Sequence, residues 1–426
     1  MMKKALLSIM CLLMVFGLTG FSFAADKVTV EFWHPYAGDD GELLNELVAE
    51  FNRTAGQEQG IEVNPTFVAR SGQMFEKLLT AIAGGTPPDV AYFDRFLVTS
   101  WAARNSLVDL TPMAQRDGIT PDLFYPFAWD ESSYKGHLYA MPHDTDARAL
   151  FYNKQLFREA GLDPENPPIT IEELDTYAEK LTVMENGQIT RMGFIPWFSQ
   201  GFFVSWGHAF GGQFYDAQKG EVTLTDPRLI NALEWEVGYA DKYGSATIDS
   251  FSDSFGAQAF DPFLTGDIAM RIDGNWSITN IEKYSPDLEY GITPTPYPSD
   301  SGTPNTTWAG GWALIIPKGS KHTEEAWEFL KWMGQEDAQL KYALDSNRFP
   351  VNVAAGASPQ LVENPKQAVF VNLLPTAFNR PAIPEGSLLW QELKQVVESA
   401  RFHKKTPEQA LKEANDKVNR ALSRWK

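Results

Sequence analysis

Alternating strand and helix patterns in the first hundred residues place the tightest limit on how this chain can fold. Residues 28–32 alternate apolar and polar side chains, which predicts a half-buried strand. Apolar residues at helical spacing follow, and then come strands over 61–68 and 89–93 separated by a second helical pattern. Two such crossovers build a parallel sheet with helices on its faces. Ligands bind beyond the carboxyl ends of strands in sheets of this type, here residues 33–36 and 94–96.

The middle of the chain contains two links that predict crossings between two lobes. Strand patterns at 136–142 and 149–153 flank the polar stretch 143–146. A second link at 308–312 precedes a strand over 313–317. We therefore expect an α/β protein whose chain passes from one lobe to the other and back.

Two helix starts carry capping boxes. Thr170 stands three residues before Glu173, and Thr406 stands three residues before Gln409 with proline at the first helical position. In this motif the hydroxyl and the later side chain satisfy each other's backbone N–H groups. Both sites predict the start of an amphipathic helix.

Composition excludes several classes of partner and chemistry. The 426 residues include 36 Lys and Arg against 55 Asp and Glu, a formal net charge of -19. Nucleic acids and anionic membranes need a basic surface, so we exclude both as partners. The length exceeds what one hydrophobic core normally supports. The single cysteine, Cys11, lies in the segment interpreted next as an export signal, so no disulfide, cysteine metal cluster or thiol nucleophile is expected.

Residues 1–24 have the pattern of a cleaved signal peptide. Lys3 and Lys4 precede an uncharged apolar run, and small residues at Ser22 and Ala24 predict cleavage after Ala24. An uncleaved membrane anchor is the alternative, because the run is long enough to span a bilayer. Cys11 lies in the middle of the run, which does not fit a lipoprotein signal. We predict an exported, periplasmic protein.

Motifs of common enzymes are absent from the sequence. It contains no phosphate-binding G-x-x-x-x-G-K-S/T, no dinucleotide G-x-G-x-x-G, no H-E-x-x-H and no G-x-S-x-G. The six histidines never fall at the i, i+4 spacing of a helical metal site, so no metal and no cofactor are predicted. Paired carboxylates leave a secreted glycoside hydrolase open, because only their separation in space identifies a catalytic pair.

Tryptophans beside glycine, proline or polar residues are the most informative side chains. An aromatic face can stack on the C–H face of a sugar, while Asp, Glu, Asn and Arg bind its hydroxyls. Structural packing is the alternative for each one taken alone. The five tryptophans in such loops are Trp33, Trp197, Trp276, Trp308 and Trp312.

The order of motifs along the chain resembles the bacterial extracellular solute-binding proteins of ABC importers, the family that includes maltose-binding protein. The resemblance covers essentially all of the chain after residue 24. The matching segments, in the order of the family, are residues 28–36, 85–96, 136–162, 167–181, 263–276, 309–333 and 382–390.

The resemblance implies a type II periplasmic-binding-protein fold, with two lobes joined by hinge strands and each lobe a parallel-rich sheet flanked by helices. Lobe 1 would comprise residues 25–143 and 309–345, and lobe 2 residues 144–308 and 346–426. A sugar, oligosaccharide or polyol would be held between the lobes of a monomer without catalysis. The loaded protein would deliver it to permease subunits in the inner membrane.

The resemblance also implies ligand-binding residues. Asp94 and Arg95 match an acid and base pair that binds sugar hydroxyls, and Asp146 matches a glutamate of the cleft. Trp276 and Trp390 match stacking tryptophans, and Trp197 lies near a third aromatic contact. The full predicted set adds the end of the first strand, one loop tryptophan and two arginines: Trp33, His34, Tyr36, Trp312, Arg148 and Arg348.

The identity of the solute stays open at the level of sequence. The first strand is followed by no Asp-Lys pair, unlike in the maltose binder. Arg148, Arg348 and Arg380 would suit a uronic acid or a glycerophosphodiester, although each could instead pair with a structural carboxylate. A surface adhesin without a small ligand is a third alternative, beside the carrier and the hydrolase.

Overall fold

The computed structural model describes residues 27–69 and 73–426, so the predicted signal peptide over 1–24 lies outside the described residues. Most strands are short, and they fall in several sheets. In chain order they are β1 (Val28–His34), β2 (Ile61–Phe67), β3 (Val90–Asp94), β4 (Ser133–Tyr134), β5 (His137–Leu138), β6 (Ala140–Pro142), β7 (Asp144–Thr145), β8 (Arg148–Asn153), β9 (Val183–Glu185), β10 (Gln188–Arg191), β11 (Tyr215–Asp216), β12 (Glu221–Val222), β13 (Met270–Gly274), β14 (Tyr290–Thr293), β15 (Trp312–Ile315) and β16 (Phe349–Pro350).

Helices cover the sheets and form the terminal part of the chain. They are α1 (Gly38–Arg53), α2 (Ala55–Gln59), α3 (Gln73–Ala83), α4 (Arg95–Ala103), α5 (Thr111–Arg116), α6 (Pro126–Glu131), α7 (Lys154–Glu159), α8 (Ile171–Leu181), α9 (Phe203–Ala209), α10 (Pro227–Tyr243), α11 (Ser245–Ser252), α12 (Pro262–Thr265), α13 (Trp276–Tyr284), α14 (Thr323–Met333), α15 (Glu336–Ser346), α16 (Val353–Gly356), α17 (Pro365–Leu373), α18 (Gly386–Arg401) and α19 (Pro407–Leu422). Both predicted capping boxes are formed, at the starts of α8 and α19. Among the described residues, no helix has the length and apolar character needed to cross a bilayer.

The first sheet has five strands in the order β2-β1-β3-β15-β6. Strand β1 pairs in parallel with both β2 and β3, which confirms the two crossovers predicted from the sequence. Strand β15 comes much later in the sequence and lies antiparallel between β3 and β6. Its register sets Trp312 beside Asp94, so the end of β3 and the start of β15 meet at one edge of the sheet.

The second sheet has three strands in the order β13-β8-β14. Both outer strands run antiparallel to β8, whereas the resemblance implied a parallel-rich sheet in each lobe. Strand β8 comes directly out of the crossing and lies between β13 and β14. Both of these strands run in the direction opposite to β8. Gly274 pairs with Arg148 in this sheet, which brings the start of α13 next to the crossing.

Two large groups of buried apolar side chains hold these layers together. The first packs helices α1 and α14 on the five-stranded sheet through residues such as Phe32, Phe51 and Trp327. The second packs α9, α10, α18 and α19 around β8 and β13, with Trp206 and Leu233 at its centre. Each group buries one face of its helices, so the helices depend on their sheets for stability.

The crossing segments run side by side between the two sheets. Strand β7, in the first predicted link, pairs antiparallel with β16. Residues 349–350 therefore form a third stretch of chain beside the two links. The Arg95 side chain lies beneath them, fully buried, and donates to the backbone carbonyls of Asp144 and Gly310. One guanidinium therefore holds together the outgoing and returning strands.

Gly311 has a backbone φ of +132°, and a Cβ there would collide with the Asp144 carbonyl and the Arg95 guanidinium. We expect Gly311→Ala to lower the free energy of unfolding, because strain and displacement of Arg95 add together. Gly319→Ala is the matched control: its φ is +97°, but its nearest neighbour would lie at 3.6 Å. Urea unfolding should show the Gly311 variant less stable than the control by about 2 kcal/mol or more. Equal stabilities would contradict this account.

Glu236 on α10 is buried, and both of its carboxylate oxygens lack a hydrogen-bond partner among the described residues. Burial raises its pKa well above the ordinary value of 4.5, with Arg401 opposing the rise. The native state keeps this proton to higher pH than the unfolded chain, so stability falls as pH rises between the two pKa values.

We therefore expect Glu236→Gln to have a higher Tm than the parent protein at neutral and alkaline pH. The difference should shrink as pH falls toward 4.5. Differential scanning calorimetry over a pH series measures it, with the exposed Glu234→Gln on the same helix as control. A difference in Tm that does not depend on pH would be inconsistent with a buried protonated Glu236.

Candidate functional site

A cavity of about 580 Å³ lies between the two sheets, at the crossing. Its walls combine aromatic faces, six charged side chains and several amides, drawn from the ends of β3, β8, β13 and β15. The lining residues are Asp40, Asp94, Asp146, Arg148, Gln200, Phe202, Asn275, Trp276, Thr279, Asn280, Trp308, Gly310, Gly311, Trp312, Ser346, Asn347, Arg348 and Arg380.

Asp94 ends β3 and enters the cavity from the five-stranded sheet. Its Oδ1 accepts from the backbone N–H of Phe96 at 3.0 Å and so caps helix α4. The same oxygen lies 3.2 Å from Nη2 of Arg380. Asp94 therefore has a structural role and a cavity-facing one at the same position.

Arg148 and Asp146 form a buried ion pair on the crossing itself. Asp146 also accepts from the backbone N–H of Gly310 at 2.7 Å. Although burial opposes it, Arg148 and this N–H hold the pKa of Asp146 below its ordinary value. The Arg148 guanidinium stacks on Trp308, 3.8 Å from the ring centroid, and lies 5.2 Å from the ring of Trp276. A planar cation is thus fixed between two aromatic walls.

Arg348 faces the cavity from the chain segment after α15. Its guanidinium lies 3.4 Å from Asp40, 3.8 Å from Asp144 and 4.9 Å from the ring centroid of Tyr36. Burial raises the pKa of Asp144, while Arg348 and the Tyr92 hydroxyl, which donates at 2.9 Å, oppose the rise. Arg348 is therefore held by carboxylates on both sides.

Arg95 and Glu131 form a second buried pair, behind the cavity wall. Both side chains are fully buried, and Nε of Arg95 lies 3.3 Å from Oε2 of Glu131. Oε1 of Glu131 lies 3.5 Å from Nε of Arg380. Burial raises the pKa of Glu131, and the two guanidinium groups oppose that rise.

Half of the predicted ligand-binding set lines this one cavity. Residues from both sheets meet there, among them Asp94 at the end of β3 and Trp276 at the start of α13. Tyr36 packs against the rings of Trp312 and Tyr92, beside Arg348 but outside the lining. The predicted residues in the lining are Asp94, Asp146, Arg148, Trp276, Trp312 and Arg348.

Five predicted residues lie elsewhere. Arg95 is buried beneath the crossing. Trp33 and His34 end β1, one strand farther from the crossing than β3, and do not reach the cavity. Trp197 and Trp390 line a separate pocket of about 290 Å³ between α9 and α18. Phe202 lines both spaces, and the ring of Trp390 lies 5.5 Å from that of Trp308 in the cavity wall.

Several lining residues were missing from the predicted set. Trp308 had been recognised only as a loop tryptophan, yet it stacks on Arg148 and lies 5.5 Å from Phe202. The signal that identifies it is the segment from Trp308 to Trp312, whose two glycines let the chain pass close to Asp146 and Arg95. Gln200 and Asn275 carried no sequence signal, because isolated amides are common in loops.

The lining of the cavity has the paired charges, amides and aromatic faces needed to bind a solute. Three arginines and three aspartates line the cavity, and each arginine lies within 4 Å of a carboxylate. Aromatic faces and amides supply the remaining wall. Among the described residues, no group of three or more His, Cys, Asp or Glu side chains is placed to hold a metal ion.

Comparison with known proteins agrees with this fold. A family model described as bacterial extracellular solute-binding protein matches residues 35–340. The sn-glycerol-3-phosphate-binding periplasmic protein UgpB of Escherichia coli K12 is 25% identical, over 96% of each chain.

Two solved structures share the type II two-lobed architecture, which confirms the predicted fold class. CpMnBP1 with mannobiose bound is 33% identical, with a TM-score of 0.78 over 92% of this chain and 99% of that one. A solute-binding protein of Thermotoga lettingae bound with α-D-tagatose is 26% identical, with a TM-score of 0.74 over 92% and 99% of the two chains. From its sequence, its fold and its match to the family model, the chain belongs to the bacterial extracellular solute-binding protein family.

Proposed function

We propose that this chain is the substrate-binding component of an ABC importer and that it captures an uncharged sugar or short oligosaccharide. The observation that carries the proposal is the cavity between the sheets, where aromatic faces stand beside charges that already neutralise one another. Aromatic planes suit the C–H faces of sugar rings, and paired ions and amides suit their hydroxyls.

The charges of the cavity argue against an anionic solute. Each of its arginines has a carboxylate partner: Arg148 has Asp146, Arg348 has Asp40, and Arg380 has Asp94. A phosphate or uronate would have to displace those carboxylates or be buried beside them without a free counter-charge. The glycerol phosphate bound by UgpB is therefore a weaker model for this cavity than the mannobiose and mannotriose bound by CpMnBP1.

The position of the cavity supports capture by closure of two lobes. We assign residues 25–143 and 309–345 to lobe 1 and residues 144–308 and 346–426 to lobe 2, with one change. Residues 346–356 go with lobe 1, because α15 of that lobe runs to Ser346, Asn352 is bridged to Phe124, and the Asn352 backbone N–H donates to Gln339 of α15. A solute that touches both lobes favours the closed state, because only contacts made in that state shift the equilibrium.

The proposed role in transport rests on the family to which the chain belongs. The proposed protein is a periplasmic monomer that releases its solute to permease subunits in the inner membrane and does not transform it. A glycoside hydrolase would instead need two carboxyl groups facing one glycosidic bond, separated by about 5–9.5 Å. The three cavity aspartates each pair with an arginine, which supports binding and not acid catalysis.

A thermal-shift screen tests the proposed class of solute. We expect neutral saccharides such as mannobiose and mannotriose to raise the Tm, because binding to the native state alone stabilises it. Galacturonate and sn-glycerol-3-phosphate should give no shift. A shift with the anions and none with neutral saccharides would contradict the proposal, and new reducing ends during incubation would support the hydrolase.

Replacement of Trp276 tests the stacking wall. We expect Trp276→Ala to weaken binding of the best neutral saccharide by about tenfold, which is about 1.4 kcal/mol and within the range of one aromatic contact. Trp33→Ala is the control, because Trp33 was predicted as a ligand contact but lies outside the cavity. Isothermal titration calorimetry should show the control within twofold of the parent protein. A loss of less than twofold in Trp276→Ala, or equal losses in both variants, would remove the stacking role.

A further inference from the structure

Glu131 is a buried carboxylate that the proposed binding mechanism has not used. It ends helix α6, is fully buried, and lies between two arginines without lining the cavity. Its two oxygens face different partners: Oε2 lies 3.3 Å from Nε of Arg95, and Oε1 lies 3.5 Å from Nε of Arg380. One carboxylate therefore connects the arginine that holds the crossing strands to an arginine of the cavity wall.

The guanidinium of Arg380 contacts two aromatic rings and two carboxylates. Its guanidinium lies 4.1 Å from the ring centroid of Phe96 and 5.1 Å from that of Trp308. Asp94 meets it from the cavity at 3.2 Å, and Glu131 meets it from behind. Glu131 therefore lies behind Arg380 as a charge contact, while Asp94, whose Oδ1 also accepts from the backbone N–H of Phe96, meets the same guanidinium from the cavity side.

The cluster is neutral only because Glu131 is part of it. Arg95 and Arg380 contribute two positive charges, and Asp94 and Glu131 contribute two negative ones. Without Glu131 this group of four side chains would carry one net positive charge directly behind the cavity wall, with Asp94 as its one carboxylate. A net positive charge beside donor groups favours binding of carboxylate, sulfate or phosphate groups.

We propose that Glu131 determines the class of solute, because it keeps the group formed by Arg95, Arg380, Asp94 and Glu131 free of net charge and supports the Arg380 and Asp94 pair that faces the solute. This inference rests on the proposed function. Glu131 acts through Arg380 and does not touch the solute, so it is a positioning and specificity-determining residue. The sequence distance between residues 131 and 380 explains why no local motif reveals it.

The test is Glu131→Gln in the full-length protein, studied at mildly alkaline pH because burial raises the pKa of Glu131 and higher pH favours its ionised form. Calorimetry is performed with the best neutral saccharide from the screen and with galacturonate and inorganic sulfate as anionic probes. We expect saccharide affinity to fall at least tenfold and binding of the anions, absent in the parent protein, to appear. That new binding should weaken as salt is raised, because it depends on one uncompensated charge.

Two further variants separate this role from a general loss of structure. Glu392→Gln breaks another ion pair, 2.6 Å from Lys417 and away from the cavity, and should change neither affinity. Glu131→Gln combined with Arg380→Gln restores the charge balance, so it should fold, bind saccharide at least tenfold more weakly and bind no anion. If the single variant does not fold, the double variant alone decides: unchanged saccharide affinity overturns the proposal.

The outcomes distinguish this inference from the proposed function. If the parent protein binds anions and not neutral saccharides, the proposed function fails before any variant is made. If the parent binds a neutral saccharide but Glu131→Gln binds it equally well and gains no anion, only the inference fails. Anion binding by the double variant equal to that of Glu131→Gln would also overturn it, because Arg380 would then not be the group responsible.

Discussion

The buried guanidinium of Arg95 is the interaction on which the two-sheet arrangement depends. It donates to the carbonyls of Asp144 and Gly310, which belong to the outgoing and returning crossings, and its charge is balanced by Glu131. A buried cation without such partners would be strongly destabilising. Gly310 and Gly311 are needed because side chains there would occupy the space of Asp146 and Arg95. The cavity exists where it does because these strands are held together directly beneath it.

Charge pairing around the cavity then limits what the protein can bind. A net charge of -19 over the chain says nothing about this local balance, which comes from three arginines each facing its own carboxylate. Such a wall offers oriented donors and acceptors without a surplus charge, as a polyhydroxylated neutral solute requires. Trp308 and Trp276 lie against the guanidinium of Arg148, and in the proposed function they would also offer faces to the solute. The proposed selectivity against anions would therefore come from the same contacts that shape the cavity.

Much of the fold was predictable because local rules and the tertiary structure agree. The alternation at 28–32, the capping boxes at Thr170 and Thr406, and Asp94 at a strand end all depend on nearby residues. The direction of β8 depends on residues far away in the sequence. So does whether each predicted site residue faces the cavity. Arg95 was predicted to face the solute, but Glu131 and two crossing carbonyls bury it. Trp197 and Trp390 pack around α9 and α18 in a pocket of their own, a placement set by helix packing that no motif encodes.

The most direct measurement of the central claim is the salt dependence of solute affinity. Calorimetric titration is performed with the neutral saccharide that gives the largest thermal shift. It is done at about 0.05 M NaCl, where exposed charges are weakly screened, and at about 0.5 M NaCl, where they are strongly screened. A cavity with internally paired charges predicts a Kd that changes by less than about threefold, because no free charge is engaged. A Kd that rises about tenfold or more would contradict the account, since it would mean that the solute is held by an unpaired cation.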